Sequence, residues 1–216
     1  MKKFSLFLIG SAIMISCNET PIEQAAVEGN EHESEFQWTT EKFGDIQILR
    51  FQIEGWEKLS LQQKKLAYYL TQAGLAGRDI TWDQFYRHNL EIRSALENIV
   101  KEYKGDKDSD LWNNFMVYTK RVWFSNGIHH HYSNVKMKPA FSMEDFESLL
   151  AETNTEISQE AKKVIFNDKD AKKVSKDSSS DLVLSSAVNF YDPDISEEEA
   201  SAFYKNQIDT NVTNDE

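Results

Sequence analysis

Residues 110–132 read DLWNNFMVYTKRVWFSNGIHHHY. Leu111, Phe115, Tyr118 and Val122 recur every three or four positions. That spacing places them on one face of an α-helix running from about Asp110 to Phe124. The pair Asn126-Gly127 closes it, because both residues tolerate the left-handed backbone that ends helices. The aromatic residues of the stripe read as core rather than as a cofactor box. Beyond the stop, His129, His130, His131 and Tyr132 follow Ile128. In an extended segment alternate residues share a face, so His129 and His131 point one way and His130 the other. Two imidazoles on one face invite a metal, yet no acidic residue lies close in sequence, and two ligands leave a zinc site incomplete. A loop at a cleft rim, or a partly buried polar turn, explains the triplet more simply. A third option is a substrate-contacting strand, in which imidazoles and a phenol supply hydrogen bonds and stacking surfaces.

Working outward, helices dominate. Ser60 and Gln63 fit a capping box, in which hydroxyl and amide each satisfy a free N–H of the first turn. Leu66, Leu70 and Ala73 then recur at helical spacing up to Gly77. Thr81 and Gln84 read as a second box, opening a helix with Phe85, Ile92, Leu96, Ile99 and Val100 inward and ending near Gly105. Ser142 opens a short helix carrying Phe146, Leu149 and Leu150. Residues 151–181 are polar and lysine-rich, a pattern that predicts a solvated helix and then a flexible connection. Leu182 to Tyr191 reads as an apolar extended piece. Ser196 and Glu199 cap a last helix through Ala200, Phe203 and Tyr204, before an acidic tail to Glu216. Near the start of the fold, Ile46 to Ile53 reads as a strand. Its alternation changes face between Ile48 and Leu49, which predicts a bulge or cover on both sides. Phe36 to Phe43 is expected to pair with it as a hairpin. The pattern predicts an α+β fold, mainly helical with a small β component.

The chain has 216 residues, 36 acidic against 24 basic, and a net charge of −12. A surface this acidic repels nucleic acid and anionic membrane faces, so no nucleic-acid partner is expected. Asp192, Asp194 and Glu197 to Glu199 lack calcium-loop spacing, and acids are favoured at a helix N-terminus by its dipole. Residues 1–17 read as a lipoprotein signal peptide. Lys2 and Lys3 form its basic start, and Phe4 to Ile15 form an apolar run too short to span a bilayer comfortably. Ser16-Cys17 then resembles the bacterial lipobox, with Cys17, the single cysteine of the chain, as the lipid anchor. Residues 18–35, with six glutamates and no apolar period, read as an acidic tether. The protein is therefore expected at the bacterial cell envelope, periplasmic or surface side, held to the membrane through its lipid anchor. Cys17→Ala is predicted to move it from the membrane fraction into a soluble or unprocessed form. Unchanged detergent partitioning of that variant would remove the lipobox reading.

Specific strings add to this. Residues 45–51 (DIQILRF), 59–64 (LSLQQK), 68–70 (YYL), 77–80 (GRDI), 123–132 (WFSNGIHHHY) and 188–191 (VNFY), with Ala202-Phe203-Tyr204, stand in an order that resembles the bacterial branch of the dipeptidyl peptidase III family. The resemblance covers about residues 36–205. It implies that residues 36–216 are the N-terminal part of a two-lobed zinc metallopeptidase fold, whose full-length members release dipeptides from the N-termini of short peptides. The family's zinc motif, His-Glu-x-x-Gly-His, occurs nowhere in this sequence. No catalytic or metal-ligating residue is therefore assigned, and this chain alone is expected to be inactive and to bind no zinc. The resemblance places an aromatic residue, a lysine and a proline along a cleft wall, at Tyr132, Lys136 and Pro139. Tyr132 and the adjacent His131 are the candidate substrate contacts. Ser133 stands where the family usually has glycine, and Met137 where it has phenylalanine. The rival reading is a non-catalytic envelope lipoprotein that serves as a peptide-binding or interaction module.

Overall fold

A computed structural model describes residues 36–188 and 190–207; the expected leader, Cys17, the tether and the acidic tail fall outside them. The fold is α+β and mainly helical. A two-stranded antiparallel hairpin, β1 (Thr39–Phe43) and β2 (Ile46–Leu49), is followed by a 3-10 turn at Trp56–Lys58. Seven helices come next among the described residues: α1 (Leu61–Ala76), α2 (Arg78–Phe85), α3 (Asn89–Glu102), α4 (Asp110–Ser125), α5 (Met143–Glu152), α6 (Gln159–Phe166) and α7 (Glu197–Gln207). The hairpin turns at Gly44, whose φ of 55° suits glycine. The register shifts between the pairs Thr39–Leu49 and Lys42–Gln47, so the irregularity faces Ile48 and its extra residue lies in β1. The strand also stops at Leu49, short of Ile53.

α4 spans the predicted stretch to within one residue. Ser109 Oγ accepts from the Trp112 N–H at its start, and Asn126 ends it with φ 53°. Phe115 and Val122 are fully buried, and Trp112 and Tyr118 nearly so. They meet Ile92, Leu96 and Ile99 of α3, Phe146 and Leu149 of α5, and Ile165 of α6 in one apolar core. The β hairpin is tied to α4 by ion pairs of Lys120 with Glu41 and of Arg121 with Asp45, and Phe43 is its one buried side chain.

Three sequence expectations are corrected. Thr81 caps nothing: it lies inside α2, which starts at Arg78, and the expected single helix breaks at Tyr86–His88. The break is held by Asn89. Its buried side chain donates to the Trp82 carbonyl (3.1 Å) and accepts from the Ile128 N–H (3.1 Å), offsetting the cost of burying an amide. The helix in the lysine-rich region is not solvated. α6 buries Ala161, Lys162 and Ile165, and Lys162 reaches Glu147 of α5. Glu91 of α3 accepts from the Ser158 N–H (2.6 Å) and hydroxyl (2.9 Å) at the start of α6. The connection after α6 is also pinned, by the Lys172–Ser186 bridge. Leu182 to Leu184 form a turn rather than an extended strand, because the Asp181 carboxylate accepts from the N–H groups of Val183 and Leu184, both at 2.9 Å.

Candidate functional site

The segment after α4 folds into a short antiparallel hairpin. The Met137 N–H donates to the Ile128 carbonyl and the His130 N–H to the Val135 carbonyl, both at 2.8 Å. Residues 131–134 form its tip. The base is buried, with Ile128 at 0 % and His129 at 2 % exposure, whereas Tyr132 at the tip is 91 % exposed. A fixed base and an open tip follow from the sequence. Gly127 lets the chain leave α4 at φ 151°, a conformation that L side chains rarely adopt. Ile128 and His129 then enter the core, and the chain emerges from it toward Tyr132.

His129 is separated from His130 and His131, whose rings stack on each other, which corrects the shared face expected for His129 and His131. The His129 ring meets Tyr86 edge-on at 5.6 Å, and its Nε2 donates to the Ala171 carbonyl at 3.0 Å. The His131 ring instead packs among Phe124 (4.8 Å), His130 (4.3 Å) and Tyr132 (4.3 Å). Burial lowers the pKa of both, and for His131 the neighbouring His130 and Lys173 act in the same direction. Among the described residues no three His, Cys, Asp or Glu side chains are grouped so as to hold a metal ion.

The resemblance singles out Lys136 with Tyr132, but the structure gives Lys136 another task. Its ammonium donates to the Val164 and Asn167 carbonyls at the end of α6, where unsatisfied carbonyls and the helix dipole favour a cation. Burial lowers its pKa. Ser133 fits in place of glycine because its backbone keeps a negative φ; its hydroxyl accepts from the Val135 N–H at 3.3 Å. Met137 is buried, and its sulfur accepts from the Ser125 hydroxyl at 3.9 Å. Lys138 pairs with Asp168 at 2.7 Å.

Sequence reasoning missed three residues that position this hairpin. Asn89 holds its first N–H, as described above. Tyr86 packs on His129 and donates to both Asp170 carboxylate oxygens, at 3.0 and 3.1 Å. Lys173 lies over the Phe85 ring at 4.1 Å and donates to the His131 carbonyl at 3.5 Å. No local pattern marks them, since their partners lie far along the chain. Beside the hairpin, a groove of about 760 Å³ runs between residues 134–138 and the loop 168–185, with Val135, Ala171 and Val174 in its wall. The tip thus offers a solvated phenol and two imidazoles, next to a groove large enough for several residues of an extended peptide. No protein-family model matches this chain, and no curated protein matches it.

Proposed function

We propose that the 128–137 hairpin is a peptide-contacting wall, with His131 and Tyr132 as the contacting side chains. In this reading the chain is the N-terminal portion of a dipeptidyl-peptidase-III-like zinc lipoprotein at the bacterial envelope. The observation that carries the proposal is the exposure of Tyr132 on a hairpin whose base is locked into the core. A large aromatic ring left in solvent on a rigid support costs little further entropy when it packs on a ligand. His131, held against Phe124 and His130, packs on the phenol ring at 4.3 Å and backs it.

His129 turns away from the stacked His130 and His131, its Nε2 already donates to the Ala171 carbonyl, and no group of three metal-ligating side chains forms among the described residues. This chain is therefore assigned no step through the metal; its part is to bind and orient peptide. Calorimetric titration with short peptides bearing a free N-terminus tests this. Tyr132→Ala is expected to weaken binding roughly 3- to 10-fold, the loss of one aromatic contact worth about 0.5–1.5 kcal/mol. Ser148→Ala, at an exposed position on α5 away from the groove, serves as the control. Equal affinity of wild type and Tyr132→Ala would remove the proposal.

A further inference from the structure

We propose that His129 is an acid-sensitive latch that sets how firmly the 128–137 hairpin is held to the rest of the fold. The effect on the His131–Tyr132 tip rests on the peptide-contact reading given above; the latch itself does not.

The attachments of the hairpin base include Asn89 on the Ile128 N–H, Lys136 on the end of α6, and His129 on the Ala171 carbonyl. The first is an amide and does not titrate. His129 does, and its bonding fixes its neutral form. A carbonyl only accepts, so Nε2 carries the proton and Nδ1 is left as a bare acceptor. That Nδ1 is buried with no hydrogen-bond partner among the described residues. Protonation therefore places both a charge and a new N–H where nothing receives them, a costly change inside a protein.

The surrounding charges do not compensate. Asp170 favours the charged ring, but its two oxygens already accept from Tyr86. Lys136 and Lys173 oppose it. Tyr86 presents an uncharged ring, and burial, reinforced by Asp170, pushes its phenol pKa further up. His88 packs on the same tyrosine at 5.0 Å and stands beside Arg87, and burial followed by Arg87 lowers its pKa. A proton is thus accommodated more readily once the His129 ring leaves the Ala171 carbonyl. The sign follows from linkage. The folded pKa of His129 lies below its ordinary 6.5, so its contribution is complete above that value and is lost as pH falls below it. Release removes the tie nearest the base between the hairpin and the 170–173 loop, two residues before the exposed tip. It leaves the longer Lys173 bonds to the Asn134 carbonyl (3.4 Å) and the His131 carbonyl (3.5 Å).

Hydrogen exchange of the His130 and Met137 amides, which close the hairpin, tests this in the full chain without peptide, so its outcome is independent of the Tyr132 experiment. After correction for intrinsic exchange, protection in wild type is expected to fall about tenfold from about pH 7.5 to about pH 5.5. His129→Gln keeps an N–H donor but cannot titrate, and is expected to reduce that change to less than about twofold. His88→Gln and His131→Gln are expected to retain it. A wild-type protection that is flat with pH overturns the latch, as does the full pH effect surviving in His129→Gln. If the glutamine variant does not fold, an NMR titration of wild-type His129 decides: a midpoint at or above 6.5 overturns the proposal.

Discussion

Gly127→Ala is expected to destabilise the fold by about 3 kcal/mol or more and to lower the melting temperature by roughly 6–12 °C. Two effects add at this position. Gly127 has φ 151°, which strains any residue with a Cβ. An added methyl would also collide with the Asn89 side chain, meeting its Nδ2 and lying 2.8 Å from its Cγ. Asn89 has little room to yield, because it is 1 % exposed and holds both the Trp82 carbonyl and the Ile128 N–H. Asn89→Ala made together with Gly127→Ala should recover part of the clash but none of the backbone strain, so the two effects will not add. Thermal unfolding of the single and double variants measures this. A Gly127→Ala protein that melts within a degree of wild type would show that the α4 exit is not fixed as described.

The second large effect concerns α1. Its capping box forms as the sequence predicts, with the Ser60 hydroxyl accepting from the Gln63 N–H and the Gln63 side chain from the Ser60 N–H. Nevertheless the helix buries none of its residues. Leu61, Leu66, Tyr68, Tyr69, Leu70 and Leu75 are all more than half exposed. Apolar residues lie on more than one side of it, the pattern of a helix enclosed by other chain rather than lying on a surface. Residues 18–216 are accordingly expected to bind an apolar dye and to sediment as species larger than a monomer. The variant Leu66→Gln, Tyr69→Lys, Leu70→Gln should lose dye binding and association together. Exposed positions carry little stability, so its melting temperature should change little, at about 0.5 kcal/mol or less per site. A dye-silent, monomeric wild type would show that α1 tolerates water as it stands.

What the sequence determined by itself is the local part of this protein. α1, α4, α5 and α7 begin where Ser60, Asp110, Ser142 and Ser196 predict, because capping and apolar spacing act between residues three or four apart. The hairpin of β1 and β2 was legible for the same reason, through Gly44-Asp45. Tertiary contacts decided the rest. The break between α2 and α3 depends on Asn89 and Ile128, 39 positions apart, so the capping pattern at Thr81 and Gln84 could not reveal it. α6 looks solvated in sequence, yet Glu91, 67 positions before Ser158, ties it to α3 and helps bury its apolar side. The candidate site divides in the same way. Tyr132 was singled out by the string it stands in, and the structure leaves it exposed. The separation of His129 from His131 followed from Ala171, Tyr86 and Phe124, which lie on other elements. A period of two assigns faces only while a strand stays flat, and the tip at residues 131–134 turns the chain before His131 can share the face of His129.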